Sequence, residues 1–247
     1  MARVLTEEGD AYGAMLLAGL EGGHVVEIVE RDDGFIDASS FGTAIYLAPF
    51  PRWPAHHRRA MRHVRGRTLD VGCGGGRVAL HVQERGQEVV AIDISSGAIE
   101  VCRRRGIRDA RLLSIDDVDQ RLGRFDTIVM LGNNFGLFAN VVKAKRLLRR
   151  FHALTTERGR IVAETRDVHG TEDPIHLAYH ARNRRRGRLP GQIRIRVRYR
   201  ERATPWFDYL MVSEAELVEL LQGTGWSIGR VLPSDDTYVA VLEKKSR

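Results

Sequence analysis

The stretch LDVGCGGGR, from Leu69 to Arg77, decides the fold of this chain, together with VVAIDIS at Val89–Ser95. The first stretch is a short apolar run that reaches the acid Asp70 and then places four glycines within five positions. The second is a β-branched run that ends in another acid, Asp93. Glycine permits a sharp turn and the close approach of a ligand that a Cβ would block. The order of strand, glycine turn, helix, strand and carboxylate predicts half of a nucleotide-binding α/β unit.

The spacing of the glycines distinguishes between two cofactor classes that use this layout. The dinucleotide fingerprint G-x-G-x-x-G/A fits Gly74, Gly76 and Ala79. Read from Gly72, the same fingerprint fails, because an arginine takes the place of the third glycine. Asp70 stands two residues before that first glycine and completes the pattern D-x-G-x-G-x-G. This pattern resembles the first motif of the class I S-adenosylmethionine (SAM) methyltransferases.

Three further segments follow in the order that this family has. They are ARLLSIDDV at Ala110–Val118, RFDTIVMLGNNFG at Arg124–Gly136 and RGRIVAE at Arg158–Glu164. The resemblance extends from about Leu69 to Lys244, and LGNNFG is also similar to the fourth strand end of glycine and sarcosine N-methyltransferases. The resemblance implies an α/β, Rossmann-like, mostly parallel seven-stranded sheet with helices on both faces and a C-terminal antiparallel hairpin. It also implies that SAM is the cofactor and S-adenosylhomocysteine (SAH) the product.

The resemblance implies a cofactor site at the ends of the first strands. The glycine turn would pack under the methionine part of SAM, and a carboxylate at the tip of the second strand suits a ribose diol. Two roles stay open: Asp93 as a helix cap instead of a ribose ligand, and Arg77 as a solvated side chain instead of a ligand of the cofactor carboxylate. The expected cofactor-binding residues are Asp70, Gly72, Cys73, Gly74, Gly76, Arg77, Asp93, Ile94, Ser114, Ile115, Asp116, Leu131 and Gly132.

The methyl group should be transferred near Asn133, Asn134 and Phe135, which we predict to be the catalytic residues. The alternative is a structural turn, in which asparagine is present because its backbone tolerates turn conformations. Two carboxamides and an aromatic ring suit a neutral amine or a planar acceptor. The adenine and glutamine N-methyltransferases of the family carry a proline pair after the asparagine, and this chain does not. No residue is identifiable as a general base by spacing, which favours a nitrogen acceptor.

Two segments outside the core motifs are expected to wall the acceptor site. We predict an N-terminal helix and hairpin cap over residues 1–55 and a methyltransferase domain over 56–247, with an inserted antiparallel β element at about 165–212. Within the cap, the helix is expected over Thr6–Leu20 and the turn of the hairpin at Asp33-Gly34. His176 and His180 are four residues apart, but no third ligand has a matching spacing, so no metal is expected. The expected substrate-binding residues are Tyr12, Tyr46, Trp53, Arg166, His169, His176, Tyr179 and His180.

The inserted element contains QIRIRVRYRER at 192–202, in which apolar residues and arginines alternate strictly. This pattern predicts a half-exposed antiparallel strand that pairs with WFDYLMV at 206–212. Its arginine face, Arg194 to Arg202, suggests a polyanionic partner, and the alternative is a solvated or dimer-facing strand. Nucleic acid is not favoured, because neither an RNA-binding module nor interleaved stacking aromatics accompany the charge.

Composition limits the function further. The chain has 247 residues, 43% of them hydrophobic, and a net charge of +7. Two cysteines, no bilayer-spanning run and no secretory leader predict a cytoplasmic protein without a membrane partner, as a monomer or a homodimer. We therefore predict methyl transfer from SAM to a small molecule, at nitrogen. The alternatives are methylation of RNA or another polyanionic macromolecule, and a non-catalytic protein that binds SAM or NAD.

Overall fold

The computed structural model describes residues 4–23, 25–39 and 42–245. The helices are α1 Ala11–Leu20, α2 Ala44–Leu47, α3 Ala55–Ala60, α4 Arg77–Glu84, α5 Ser96–Arg104, α6 Val141–Leu154, α7 Pro174–Arg185 and α8 Glu214–Leu221. The strands are β1 Glu27–Arg31, β2 Ile36–Ser39, β3 Thr68–Val71, β4 Val89–Asp93, β5 Ala110–Leu112, β6 Phe125–Met130, β7 Thr155–Arg166, β8 Gln192–Tyr199, β9 Arg202–Ala203, β10 Phe207–Leu210, β11 Trp226–Ser234 and β12 Thr237–Lys244.

The main sheet has seven strands in the order β11-β12-β7-β6-β3-β4-β5. Strands β3 to β7 run parallel, whereas β12 pairs antiparallel with β7 and β11 antiparallel with β12. This confirms the predicted mostly parallel sheet and its C-terminal hairpin. The chain leaves β3 in one direction through β4 and β5 and returns to the other side of β3 as β6. In open α/β sheets, ligands bind outside the carboxyl ends of the strands at such a switch point.

Helices cover both faces of this sheet through apolar side chains. Val82 of α4 and Ile99 of α5 are buried in the cluster on one face. Leu147 of α6 and Leu217 of α8 are buried in the cluster on the other. A capping box begins α8. The Ser213 hydroxyl accepts the amide N–H of Glu216, and the Glu216 carboxylate accepts the amide N–H of Ser213.

A second, antiparallel sheet joins the N-terminal segment to the inserted segment. Its order is β10-β8-β1-β2, with β9 paired to β8. The predicted hairpin around Asp33-Gly34 is formed by β1 and β2, and β8 pairs with β10 as expected. Strand β8 also pairs with β1, so that both of its sides are occupied and it is not an edge strand.

Two local predictions need correction. The first helix was expected over Thr6–Leu20 but begins at Ala11, because the Asp10 carboxylate accepts the amide N–H of Gly13 and caps it there. The arginine alternation was expected to continue through Arg202, but the chain turns at Arg200, which has a φ of 52°. Among the described residues, no helix combines the length and the apolar content needed to cross a bilayer.

Candidate active site

A cavity of about 1740 Å³ opens between the two sheets, at the carboxyl ends of β3, β4 and β6. Its wall on the main-sheet side includes Gly72, Asp93 and Asn133. Its wall on the second-sheet side includes Val29 and Ile195, which lie on the same face. A typical small-molecule site measures roughly 300–1,000 Å³, so this cavity has room for a cofactor and an acceptor together.

The glycine turn after β3 is held by the carboxylate at the end of β4. Asp93 Oδ2 accepts the amide N–H of Gly74 at 3.0 Å, and Asp93 Oδ1 accepts that of Ser95 at 3.0 Å. Burial raises the pKa of Asp93, and these two backbone donors oppose the rise. Asp93 lines the cavity while bonding to the start of α5, so the cap role and a ligand role are compatible.

The glycine positions form a cradle that a side chain would fill. A Cβ on Gly72 would lie 2.7 Å from Leu137 Cδ1, and one on Gly74 would lie 2.6 Å from the Tyr12 hydroxyl. Gly72, Gly74 and Gly76 also have positive φ angles, which L side chains rarely adopt. The turn is therefore packed closely against its own neighbours, and Gly72 is the one of these three glycines that lines the cavity.

Tyr12 reaches the glycine turn because α1 is fixed on α5. Asp10 Oδ2 accepts the amide N–H of Gly97 and the hydroxyl of Ser95, both at 2.9 Å. A Cβ on Gly13 would lie 2.7 Å from the Gly97 Cα, so the two helices meet at their glycines. The N-terminal helix thereby covers the cofactor-facing end of the cavity.

Asp70 and Arg77 lie behind the glycine turn, outside the cavity wall. Asp70 Oδ2 accepts the amide N–H of Ala79 at 3.2 Å. Burial raises the pKa of Asp70 to about 7, with that bond and Arg77 acting in the opposite direction. Arg77 is buried, donates toward His57 Nδ1 at 3.0 Å and stacks on the Trp53 ring at 5.0 Å. It is not the solvated residue that one alternative expected.

The predicted adenine segment lies partly in the cavity wall and partly outside it. Ile94, Ser114 and Ile115 line the cavity. Asp116 does not, because its carboxylate pairs with Lys143 at 2.8 Å and with an arginine of the same helix at 2.7 Å. Cys73 is buried with its Sγ 3.7 Å from that of Cys102, and both thiols are free.

The predicted catalytic residues have three different surroundings. Asn133 lines the cavity, has a φ of 63°, and its Oδ1 is buried without a hydrogen-bond partner in the described part of the chain. Asn134 also lines the cavity, but its Nδ2 donates to the carbonyls of Val71 at 3.1 Å and Gly72 at 2.7 Å. Phe135 is buried in the main core. Gly132 lines the cavity beside them, and Leu131 is buried beneath it.

A buried network that the sequence did not reveal fixes the Asn133 turn. Glu164 Oε2 accepts the amide N–H groups of Gly132 and Asn133 at 2.6 and 2.8 Å. Glu164 Oε1 lies 2.8 Å from Nε2 of both His56 and His57. Burial opposes ionisation of Glu164, but the hydrogen bond with His56 and the close contact with His57 outweigh it and hold its pKa well below the usual range.

The same network determines the protonation of His57. A guanidinium only donates, so the contact with Arg77 makes His57 Nδ1 an acceptor and leaves the proton on Nε2. That nitrogen lies 2.8 Å from Glu164 Oε1 without the angle of a hydrogen bond. Burial lowers the pKa of His57, in keeping with a neutral ring. His56, His57 and Glu164 are also spaced as three ligands of a metal, with their ligand atoms within 4.8 Å of one another. The guanidinium next to His57 disfavours a cation at this position.

The predicted substrate residues are only partly brought together. Tyr12, Tyr46, Arg166, His176 and His180 line the cavity. Three others lie outside its wall: Trp53 packs against His81 and Phe50, His169 contacts Glu216, and Tyr179 donates to Asp32.

Arg31 and Glu27 are cavity-lining residues that the sequence did not single out. Arg31 is buried, binds the Asp33 carboxylate through two 2.8 Å bonds and contacts His176 Nδ1 at 2.9 Å. Glu27 accepts the Tyr46 hydroxyl at 2.6 Å. Both lie on β1, where alternation places every second side chain toward the cavity, a signal visible only once the pairing partner is known.

The arginines of β8 point away from the cavity and are paired. Glu30 Oε2 lies 2.8 Å from Arg196 and 2.9 Å from Arg198, and Asp208 lies 3.5 Å from Arg194. The apolar residues of β8 face inward instead and form part of the cavity wall. These arginines are therefore tied to acids of β1 and β10, which weakens the case for a polyanionic partner.

The fold, the glycine turn and the acid at the tip of β4 define a Rossmann-like protein that binds a nucleoside cofactor at the switch point of its sheet. Comparison with known proteins narrows this class. Residues 68–159 match the family described as "Methyltransferase domain". A SAM-dependent methyltransferase from Bacteroides fragilis, solved in complex with S-adenosyl-L-homocysteine, is 27% identical, with a TM-score of 0.82 over 98% of this chain and 97% of that one.

Two curated relatives match shorter parts of the chain. A glycine/sarcosine N-methyltransferase from Halorhodospira halochloris is 27% identical over 121 residues, which is 47% of this chain and 45% of that protein. A ubiquinone biosynthesis O-methyltransferase from Xanthomonas oryzae is 34% identical over 71 residues, which is 26% of this chain and 30% of that protein. The chain thus spans less than half the length of these relatives. Residues 68–159 thus carry the methyltransferase domain, and the chain as a whole is similar to a SAM-dependent methyltransferase.

Proposed function

We propose that this protein transfers a methyl group from SAM to a nitrogen atom of a small-molecule acceptor. The observation that carries the proposal is Asn133, which lines the same cavity as Gly72 and Asp93 and whose carboxamide Oδ1 is buried without a hydrogen-bond partner among the described residues. A carboxamide oxygen accepts hydrogen bonds and so can orient an acceptor N–H. On its far side the cavity is walled by the second sheet, whose face combines apolar side chains such as Val29 and Ile195 with the charged Glu27 and Arg31, which suits a small acceptor with an apolar body and a polar group.

The residues present fit the cofactor. Asp93 offers a carboxylate for the ribose diol, the glycine turn provides the close backbone approach, and Ile94 and Ile115 supply apolar surface for the adenine. When bound, SAM supplies a methyl group already activated by its sulfonium charge. The chain's part is then to align the acceptor and to exclude water, which together account for several kcal/mol of a barrier in favourable cases.

Two groups have the alignment role. Asn133 lines the cavity just beyond the end of β6, and its turn is fixed by Glu164. The Tyr209 hydroxyl donates to the Asn133 carbonyl and ties the inserted segment to the same turn. Movement of the second sheet would therefore be transmitted to the residue that orients the acceptor.

Calorimetry with SAH, SAM and NAD, followed by a screen of small amines and phenols for SAH release, tests the proposal. We expect SAH and SAM to bind and NAD not to bind. Asp93→Ala should weaken SAH binding about ten- to a hundredfold, because charge-assisted hydrogen bonds are lost. Asp109→Ala, which removes an exposed carboxylate paired with Arg111, is the control. Tighter binding of NAD than of SAM, or release of SAH with phenols only, would overturn the proposal.

A further inference from the structure

Glu27 is a carboxylate in the cavity wall to which the proposed methyl transfer has given no role. It lies on the cavity-facing side of β1 with Val29, and it is partly buried. The Tyr46 hydroxyl donates to Glu27 Oε2 at 2.6 Å. A second hydrogen bond to this carboxylate is absent from the described residues, in contrast to Glu30 on the opposite face of the strand, which binds two arginines.

Two tyrosines connect Glu27 to the glycine turn. The Tyr46 ring meets the Tyr12 ring edge to face, with centroids 5.7 Å apart. Tyr12 places its hydroxyl at Gly74, and the Tyr46 carbonyl lies where a Cβ on Gly75 would reach, at 2.7 Å. The carboxylate of Glu27 is therefore attached to the wall of the cofactor cradle and not to a remote part of the cavity.

A partly buried carboxylate beside aromatic rings is the arrangement that recognises an ammonium group, through an ion pair and through the ring faces. We infer that Glu27 binds the protonated amine of an acceptor with an apolar body and takes the proton that this nitrogen must lose. The inference rests on the proposed function, whose acceptor atom it specifies as an aliphatic amine nitrogen.

The proton and electron balance is simple. The ammonium R–NH3⁺ gives one proton to the Glu27 carboxylate and becomes the neutral amine, because only a nitrogen with a lone pair can attack. The amine lone pair then forms the N–C bond to the methyl carbon while the S–C bond breaks and its electron pair stays on sulfur. The products are a protonated methylamine and SAH, and the proton on Glu27 returns to solvent when they leave.

Four groups of the packed elements face Glu27 and affect its charge. Burial raises the pKa of Glu27, the bond from Tyr46 lowers it, and the Asp37 charge raises it. Tyr12 and Tyr209 are coupled to it electrostatically, and burial keeps the pKa of both phenols well above the usual range. Because its pKa is raised from 4.5, Glu27 takes up a proton at a higher pH than an ordinary glutamate does. Protonation removes the negative charge that would bind an ammonium group.

Isosteric probe pairs test the inference without a known substrate. Benzylamine is compared with benzyl alcohol, and cyclohexylmethylamine with cyclohexylmethanol, by calorimetry on the protein with and without SAH. At pH 8 the parent should bind at least one amine about tenfold or more tightly than its alcohol. Glu27→Gln, which keeps the shape and the acceptor for Tyr46, should abolish this preference, whereas Glu30→Gln should retain it.

Each other outcome has a defined meaning. Absence of an amine preference in both pairs, or its survival in folded Glu27→Gln, overturns the inference. A tenfold loss of SAH affinity in Glu27→Gln with the preference intact would make Glu27 a cofactor ligand instead. Failure of SAH to bind the parent defeats the proposed function and not the amine preference itself. If Glu27→Gln does not fold, the parent decides: its preference must disappear as the pH is lowered through the titration of Glu27.

Discussion

The carboxylate of Glu164, at the end of β7, accepts the backbone N–H of Asn133, at the end of β6, over 2.8 Å. This bond crosses between neighbouring parallel strands and fixes a residue with a φ of 63°, a left-handed conformation that asparagine tolerates better than most residues. The turn that presents the Asn133 amide is therefore maintained from outside the cavity, by a carboxylate that two histidines hold in its ionised form.

Glu164→Gln should lower turnover more than it weakens cofactor binding. The amide can accept one N–H bond of the Asn133 turn but cannot reproduce the charged network, so the turn should relax. We expect turnover to fall about ten- to a hundredfold, an order consistent with a small misplacement, and the free energy of unfolding to fall by roughly 1–3 kcal/mol. Steady-state kinetics, SAH calorimetry and urea unfolding measure these effects. Glu88→Gln is the control, and a variant with full turnover would show that the network does not position Asn133.

His57 should make stability depend on pH below neutrality. Burial lowers its pKa in the folded state, so the unfolded chain binds more protons once the pH falls below about 6.5. The contribution of His57 to the free energy of unfolding is fully present above about pH 6.5. It is lost as the pH falls through the lowered pKa that His57 has in the folded state. His57→Gln should therefore reduce the slope of unfolding free energy between pH 7 and 5.5. Burial also lowers the pKa of His180 and His81, which leave a residual slope. Equal slopes in parent and variant would contradict this assignment.

Asn133 and Asn134 should respond differently to alanine. Asn134 Nδ2 binds the carbonyls of Val71 and Gly72 and so holds the start of the glycine turn. Asn134→Ala should weaken SAH binding about tenfold, because two partly buried carbonyl oxygens lose their donor. Asn133→Ala should leave SAH binding nearly unchanged and lower turnover about a hundredfold. Calorimetry and kinetics on both variants distinguish the two roles, and an identical pattern for the two would refute the distinction.

The arginine face of β8 should not bind RNA. Arg196 and Arg198 share Glu30, and Arg194 lies beside Asp208. In a filter-binding titration with mixed-sequence RNA, we expect weak binding whose salt dependence is unchanged when all three arginines become glutamine. SAH affinity should also stay the same in that variant. A steep salt slope in the parent that the triple substitution removes would restore a polyanionic partner.

The local pattern of residues was enough to predict the main sheet, its glycine turn and the acid at the tip of β4. These features are encoded in a few neighbouring positions: the strand and helix periodicity, the glycines from Gly72 to Gly76, and Asp93. Because glycine is the usual residue where the backbone must turn sharply, the turn could be predicted from the glycines themselves. The alternation of β8 likewise predicted an antiparallel strand with one apolar face.

Only the tertiary structure decided which distant residues meet. Strand β1 pairs with β8 across more than 160 positions, which brings Glu27 and Ile195 to one cavity wall. The contacts of Glu164 with His56 and His57 likewise join residues that are far apart in the sequence. Contacts between buried polar groups depend on spatial proximity and produce no periodic pattern in the sequence. The charge of the arginine face was visible in the sequence, but its neutralisation by Glu30 was not, because cross-strand register is fixed by the packing of the whole sheet.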